Sequence, residues 1–233
     1  MPITVVKLGG SALEQSEHVL AQLVGQDVVL VHGGGAAVSA MSSRLGLKPT
    51  FLDGLRVTDE ATMDVAMMVQ GLVNRRLVAG LARLGQPAYG LFGQDHGGWL
   101  QADVLADGRY GRVGDITRVE VSALAGPGIP VVAPVAVDAS MRALNVNADH
   151  VAAAVAAALG AERLVFITDV DAIRGRAGDL DEVDSSGLAH LIEDGTVAGG
   201  MLPKATACLA AIARGVRCVS VGRGLTGGTR VWA

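Results

Sequence analysis

Two of the three lysines in this 233-residue chain lie beside pairs of glycines. Lys7 precedes Gly9 and Gly10 at the end of a β-rich run, and Lys204 closes the segment Gly199-Gly-Met-Leu-Pro-Lys204. Glycine loops at strand ends or helix starts present backbone N–H groups that bind anions, and a nearby lysine adds positive charge. Because most of the other basic residues are arginines, these lysines favour a role that arginine does not fill. The pattern indicates phosphate chemistry.

A third glycine run, Val31-His-Gly-Gly-Gly35, follows the apolar run Val28–Val31. No Gly-Lys dipeptide occurs in the chain, which excludes a Walker A loop, and Val38 stands where a dinucleotide fingerprint needs glycine. The run therefore offers N–H groups and a helix N-terminus without its own cation. The positive charge has to arrive from another part of the chain.

Polar side chains also precede an alanine-rich helical segment, in Asn145-Val-Asn-Ala-Asp149. Either Asn147 or Asp149 can serve simply as the N-cap of that helix. Three amide or carboxylate groups exceed what a cap requires, and Asp149 is expected to hold the ammonium groups of Lys7 and Lys204 if the fold brings them together. A lysine at the first turn of a helix opposes the helix dipole, which makes sense if an anion shares the site with Lys204.

The elements that position these residues alternate between short β-rich runs and helical patterns, which predicts βαβ units and a largely parallel sheet. Lys7 falls at the carboxyl end of its strand, the edge where open α/β sheets bind ligands. The predicted strands are Ile3–Leu8, Val28–Val31, Ala88–Phe92, Val131–Val135, Leu164–Thr168 and Cys218–Val221.

Apolar spacing predicts one long helix over Asp59–Leu84, with Thr58 or Asp59 as its cap and Gly85 as its stop. Its apolar positions are Met63, Met67, Val73, Leu77, Leu81 and Leu84. Two segments with Asp-Gly turns, Lys48–Thr58 and Trp99–Ile116, are predicted to be hairpins.

Composition restricts the function classes. A net charge of −4 argues against a general nucleic-acid binder, which needs a basic face. Cys208 and Cys218 do not suggest a disulfide framework, and no Cys/His cluster has zinc-ligand spacing. The chain enters a strand at Ile3, and the alanine-rich run Val151–Leu159 is too short for a membrane span. A cytoplasmic protein without membrane partners is expected.

Together these segments resemble the amino-acid kinase family, in order along nearly the whole chain. That resemblance implies a three-layer αβα sandwich with a mainly parallel central sheet. It also implies an amino-acid-substrate lobe over residues 1–140 and a nucleotide-binding lobe over 141–233, joined through a continuous sheet. The matching segments are "KLGGS" at 7–11, "VHGGG" at 31–35, "FLDGLRVTDEATMD" at 51–64, "GLVNRRLV" at 71–78, "NVNAD" at 145–149, "TDV" at 168–170, "GGMLPK" at 199–204 and "GTRV" at 228–231.

Within the family, the chain is most similar to the enzymes that phosphorylate the side-chain carboxylate of N-acetyl-L-glutamate with MgATP, for arginine biosynthesis. The resemblance implies that Lys7 and Lys204 neutralise the transferring phosphoryl group and that Asp149 orients both lysines. It assigns substrate binding to Gly34, Gly35, Arg56 and Asn145. It assigns phosphate or nucleotide binding to Gly9, Gly10, Thr168, Asp169, Gly200 and Met201, with no protein metal ligand.

Other functions stay open at this point. The related kinase of lysine biosynthesis acts on aminoadipate or glutamate linked to a carrier protein and shares the lysine and glycine motifs. A kinase of another carboxylate, or a non-catalytic sensor, would also keep the fold. Ala172 replaces a usual glycine, and the segment between Val221 and Gly228 is short for the family. A homodimer through helix 59–84, without strong arginine feedback, is expected because the amino-terminal helix of arginine-inhibited relatives is missing.

Overall fold

The computed structural model describes residues 3–13, 16–176 and 178–233. Its centre is an eight-stranded sheet in the order β14-β16-β15-β11-β1-β2-β8-β5. The strands are β1 (Thr4–Leu8), β2 (Val28–His32), β3 (Phe51–Leu52), β4 (Leu55–Arg56), β5 (Ala88–Leu91), β6 (Leu100–Val104), β7 (Gly114–Val119), β8 (Ile129–Val132), β9 (Val135–Val137), β10 (Ala143–Asn145), β11 (Arg163–Ile167), β12 (Arg174–Gly175), β13 (Gly178–Asp179), β14 (Glu182–Asp184), β15 (Cys218–Gly222) and β16 (Thr229–Trp232).

Helices cover both faces of this sheet. The α-helices are α1 (Ser16–Leu23), α2 (Gly35–Arg44), α3 (Glu60–Arg83), α4 (Ala148–Leu159), α5 (Ser185–Glu193) and α6 (Leu202–Ala213). Short 3-10 helices span Gly10–Leu13, Asp95–Gly97, Leu105–Gly108, Val121–Leu124 and Gly199–Met201. Six neighbouring strands run parallel, whereas β16 is antiparallel to β15 and parallel to β14. The predicted αβα sandwich with a mainly parallel sheet is confirmed.

Alternation along β1 decides which helices its side chains meet. Val6 and Leu8 join a buried cluster with α1 and α3, whereas Val5 joins the cluster that contains α4 and α6. Since side chains two apart in a strand share a face, Lys7 points to the side of Val5 and α4. The same rule sends His32, at the end of β2, toward α3.

Five predicted strands agree with the observed ones to within one residue at each end, whereas the sixth is wrong. Val131–Val135 is divided between two sheets, because β8 ends at Val132 and β9 begins at Val135. The proline at position 134 has no N–H to continue the ladder of the main sheet. β9 belongs to a separate four-stranded sheet in the order β10-β9-β6-β7.

The predicted long helix is confirmed as α3, with Asp59 as its cap: the Asp59 side chain accepts a hydrogen bond from the N–H of Thr62 at 2.8 Å. Gly85 follows the helix with φ of 75°. The predicted apolar face is wrong at its end, because Leu84 lies beyond the helix and is exposed. The buried face also carries two polar residues, Gln70 and Asn74.

Both hairpins are confirmed. β3 and β4 pair across Asp53 and Gly54, which have φ of 51° and 79°, as a two-residue hairpin turn requires. β6 and β7 also pair antiparallel, at the edge of the four-stranded sheet, but a longer connection over residues 105–113 joins them, and Asp107 and Gly108 lie in its 3-10 helix. Both cysteines are free and buried. None of the helices in the described part of the chain is long and apolar enough to cross a membrane.

Strands from both halves of the chain form the main sheet, since β1 pairs with β11 along its whole length. The division into lobes at residues 1–140 and 141–233 stays a prediction.

Candidate active site

The side chain of Lys7 leaves the centre of the main sheet toward the start of α4. Its Nζ lies 2.9 Å from Oδ1 of Asp149, with both side chains partly exposed. The contact lacks hydrogen-bond alignment, and Asp149 Oδ1 has no hydrogen-bond partner among the described residues. Asn147 caps α4 by accepting from the N–H of Asp149 at 2.8 Å, which leaves the Asp149 carboxylate available to Lys7.

Two of the glycine loops lie against each other. The N–H of Gly33 donates to the carbonyl of Leu8 at 2.7 Å, and a Cβ on Gly33 would lie 3.4 Å from the Cα of Gly9. A Cβ on Gly9 would lie 2.6 Å from Lys7 Nζ. Glycine at position 9 therefore leaves room for the Lys7 ammonium group over the loop backbone.

Lys204 is held at the end of the neighbouring strand, β11. Its Nζ lies 3.6 Å from Oδ1 of Asp169 and donates to the carbonyl of Gly200 at 3.2 Å. A hydrogen bond from Thr168, and then the charge of Lys204, lower the pKa of Asp169. Asp169, two residues beyond β11, is the carboxylate beside this lysine, and the role of Asp149 toward Lys204 stays a prediction.

The third glycine run opens α2, as predicted. Gly34 is the residue that precedes the first turn of α2, and no side chain caps that turn. The first N–H groups of the helix are thus left for a ligand, and the helix dipole favours an anion there.

Arg56 brings a buried positive charge to the same place. Its Nη2 donates to the carbonyl of Gly35 at 2.7 Å and to Oγ of Ser39 at 2.8 Å, and its guanidinium lies 4.8 Å from the ring centroid of Phe51. Nη1 is buried and has no hydrogen-bond partner among the described residues. Burial lowers the pKa of Arg56, yet a guanidinium stays charged in proteins. This geometry fits a carboxylate bound at Nη1.

Asn145, at the end of β10, is tied to the hairpin that carries Arg56. Its Nδ2 donates to Oγ1 of the buried Thr58 at 3.1 Å, and that hydroxyl donates to the carbonyl of Arg56 at 3.0 Å. Thr58 therefore fixes the distance between Asn145 and the Arg56 backbone instead of capping α3.

These groups surround one cavity of about 240 Å³. Pockets for drug-sized ligands measure about 300–1,000 Å³, so this cavity suits an amino-acid-sized ligand. Seven of the predicted site residues line it: Lys7, Gly9, Gly10, Gly34, Gly35, Arg56 and Asn145.

The remaining predicted residues lie outside the lining of this cavity. Asp149 touches Lys7, and Gly200 and Met201 lie in the 3-10 turn before Lys204. Thr168 and Asp169 line a larger cavity of about 860 Å³ beside α1. Among the described residues, no group of three or more His, Cys, Asp or Glu side chains is arranged to hold a metal ion.

Sequence reasoning missed Gln70, Ser39 and His32. Gln70 and Asn74 occupy two positions four apart on the buried face of α3, and polar residues where helical periodicity places the core are a readable signal. Ser39 lies one turn into α2, and its contact with Arg56 has no local signal in the sequence.

His32 links the glycine run to α3. Its Nδ1 lies 2.9 Å from the carbonyl oxygen of Gly33, so Nδ1 carries the proton. Nε2 then accepts from Nδ2 of Asn74 at 3.2 Å, and Nδ2 also donates to the carbonyl of Val131 at 2.8 Å. Complete burial lowers the pKa of His32 to about 4. The ring is neutral at pH 7 and holds the carbonyl that precedes Gly34.

Comparison with known proteins agrees with this geometry. The model of the amino acid kinase family matches residues 2–222. An acetylglutamate kinase of Koribacter versatilis is 43% identical over 232 residues, covering 93% of this chain and 88% of the relative. An acetylglutamate kinase of Campylobacter curvus is 42% identical over 228 residues, covering 92% and 81%.

A solved structure from Streptococcus mutans has the same fold, with a TM-score of 0.88 and 30% identity over 99% of this chain and 98% of that one. The family match, the sequence identities and the shared fold place this chain with these relatives. The chain belongs to the amino acid kinase family and, within it, to the group of the acetylglutamate kinases.

Proposed function

We propose that this chain transfers the γ-phosphoryl group of ATP to the side-chain carboxylate of N-acetyl-L-glutamate. The observation that carries this proposal is the buried, unpartnered Nη1 of Arg56 in a cavity that Lys7 and the glycine loops also line. An acceptor with two carboxylates uses both ends: one carboxylate pairs with Arg56, and the other meets the phosphoryl group beside Lys7.

In this proposal Arg56 and Asn145 hold the α-carboxylate and the acyl-amide end of the substrate. A guanidinium with one nitrogen anchored on Gly35 and Ser39 presents its other nitrogen in a fixed direction. Asn145 is held by Thr58 through one hydrogen of Nδ2, so the other hydrogen is free to donate to the ligand. This arrangement orients the substrate before the reaction.

The second carboxylate is the nucleophile. One of its oxygens forms a bond to the γ-phosphorus while the bond from that phosphorus to the β,γ-bridging oxygen breaks, and ADP leaves with the electron pair. The product is an acyl phosphate, and no proton has to move. Catalysis then depends on alignment and on stabilising the negative charge of two approaching anions.

Positive charge for that step comes from Lys7, near the carboxyl end of β1, and from Lys204, in the first turn of α6 beside Asp169, which follows the neighbouring strand β11. The loop N–H groups at Gly9, Gly10, Gly34 and Gly35 add donors without side-chain bulk. Asp149 positions Lys7, and Asp169 positions Lys204. Thr168, Gly200 and Met201 lie beside Lys204 and are assigned to the nucleotide in this proposal.

Mg²⁺ enters this proposal with ATP, as part of the substrate. The site carboxylates, Asp149 and Asp169, each lie beside a lysine, and the described residues form no metal-binding cluster. This fits an ion bound chiefly by phosphate oxygens and water, as Mg²⁺ commonly is in kinases.

Hydroxylamine trapping of the acyl phosphate tests the proposal. The chain is assayed with MgATP and four acceptors: N-acetylglutamate, glutamate, aspartate and aminoadipate linked to its carrier protein. Product with N-acetylglutamate and little with the others is expected. Turnover of the carrier-linked acceptor alone contradicts the proposal and assigns the chain to the lysine-type reaction.

The expected homodimer is part of the same proposal. Met68 and Leu72, four residues apart on α3, are 58% and 46% exposed and form an apolar face. Light scattering after size-exclusion chromatography is expected to give the mass of two chains, and the paired substitutions Met68→Asp and Leu72→Asp are expected to give one. Leu45→Asp, at an exposed leucine that follows α2 and lies outside α3, is the control. A wild-type monomer contradicts the dimer.

A further inference from the structure

One polar group in the cavity has no place in the mechanism above. Gln70 lines the cavity with Arg56 and Asn145, yet its side chain is almost wholly buried. Its Oε1 has no hydrogen-bond partner among the described residues. A buried acceptor without a donor is costly, and the cost is relieved when a ligand brings a donor.

Glycine at position 34 leaves room for the Gln70 amide. A Cβ on Gly34 would lie 2.5 Å from Oε1 and 3.0 Å from both Cδ and Nε2 of Gln70. The amide thus lies flat beneath the glycine run, next to the residue that opens α2. α3 fixes it from the other side, because Asn74, one turn further on, is bonded to His32 and Val131.

The hydrogen-bond donor that fits Gln70 Oε1 can be identified from the chemistry of the substrate that accepts the phosphoryl group. At neutral pH, N-acetylglutamate has two ionised carboxylates and one acyl amide, so the amide N–H is its single hydrogen-bond donor. We infer that Gln70 Oε1 accepts this N–H, and that Gln70 makes the enzyme select an N-acylated amino acid. This inference rests on the proposed function and adds a specificity-determining residue to it.

Asn145 Oδ1 is the competing acceptor for the same N–H. Asn145 is partly exposed, so water satisfies its Oδ1 when the site is empty, and pairing with the ligand gains little. Gln70 Oε1 is buried and gains more from the same bond. Asn145 then donates its free Nδ2 hydrogen to the ligand, while Gln70 accepts.

The test uses an acceptor that differs by one atom, (S)-2-acetoxyglutarate, in which an ester oxygen replaces the N–H. Wild-type enzyme is expected to prefer the amide over the ester by about 10-fold or more in kcat/KM, because the ester oxygen faces Oε1 without a hydrogen. Gln70→Leu removes the acceptor, so the preference is expected to fall to about 2-fold or less, chiefly through KM for the amide. Gln94→Leu, at a glutamine outside the cavity that also has an unpartnered Oε1, is expected to keep the wild-type preference.

The inference is overturned if Gln70→Leu keeps the wild-type preference, or if Asn145→Leu abolishes it while Gln70→Leu does not. If Gln70→Leu does not fold, Gln70→Met replaces it in the same comparison, since methionine also lacks the amide oxygen. Calorimetry of the two ligands with wild-type enzyme gives a result that needs no variant: equal affinity for amide and ester overturns the inference. A wild-type enzyme that does not phosphorylate N-acetylglutamate refutes the proposed function itself, which is a separate outcome.

Discussion

The ammonium group of Lys7 lies 2.9 Å from the Asp149 carboxylate, so β1 and the first turn of α4 share one ion pair. The carboxylate holds the lysine by charge and leaves the hydrogens of the ammonium group available to a ligand. A positioned ammonium group can then pair with phosphate oxygens in the transition state, where an enzyme gains most from it.

Lys7→Ala is therefore expected to lower kcat by roughly 10²–10³-fold, the range found when one transition-state donor is lost. KM for N-acetylglutamate should change little, because Arg56 still holds the other carboxylate. Lys48→Ala, at an exposed lysine, is the control. Steady-state kinetics with hydroxylamine trapping measure both values, and an unchanged kcat for Lys7→Ala contradicts the role of this lysine.

Arg56→Lys is expected to act on binding instead. The ammonium group of lysine cannot bond Gly35 and Ser39 through one nitrogen while presenting a second nitrogen to the ligand. A loss of about 2 kcal/mol, typical of a hydrogen bond between charged groups, corresponds to a KM for N-acetylglutamate raised by roughly 30-fold. Arg44→Lys, at the exposed end of α2, is the control. A fall in kcat at constant KM contradicts this assignment.

The buried histidine predicts a loss of stability in acid. The pKa of His32 is about 4 in the folded chain against 6.5 as its ordinary value, so the unfolded chain binds more protons between these values. The free energy of unfolding should therefore fall as pH drops from about 6.5 to 4, by up to about 3 kcal/mol from this group alone. Above pH 7 its contribution is constant.

Urea denaturation at pH 7.5 and 4.5 measures this effect. Wild type should lose more stability between the two pH values than His32→Gln, whereas His190→Gln, at an exposed histidine, should behave as wild type. Equal losses in all three proteins contradict the assignment of this pH dependence to His32.

Two glycines near Asn74 are expected to respond in opposite ways to alanine. A Cβ on Gly90 would lie 1.9 Å from Asn74 Oδ1, so Gly90→Ala displaces the side chain that bonds His32. A cost of about 2–3 kcal/mol is expected, since buried groups lose their partners. A Cβ on Gly71, within α3, meets nothing within 4 Å. Gly71→Ala should therefore raise the free energy of unfolding by about 0.5–1 kcal/mol, because alanine favours a helix more than glycine does. Urea denaturation at one protein concentration compares them, and equal effects contradict this explanation.

The sequence predicts a structural feature well when the residues that determine it lie close together along the chain. Lys7 could be assigned to the ligand edge because strand alternation and the following glycines both lie in one short segment. The cap at Asp59 and the turn at Asp53 and Gly54 followed from local backbone chemistry in the same way.

The rest depended on which elements become neighbours. The sequence offered Asp149 as a partner for both lysines, and only the order of strands shows that Asp169 is the carboxylate beside Lys204. The valines between 131 and 135 have high β-propensity and predict one strand, whereas the chain passes at Ala133 and Pro134 from β8 of the main sheet to β9 of the second sheet. Gln70 stands at a core position of the helical period, which marks it as unusual, but the period does not show that this residue faces a cavity.

The close packing of Gly9 against Gly33 assigns phosphoryl binding and recognition of the acceptor substrate to different parts of the chain. The surface that the proposed function assigns to the phosphoryl group consists largely of main chain, where two loops meet without side chains between them. The acceptor-facing surface consists of side chains from three other elements, α3, β4 and β10. If the proposed function holds, the range of acceptor substrates can be redesigned at those side chains while the glycine loops keep their shape.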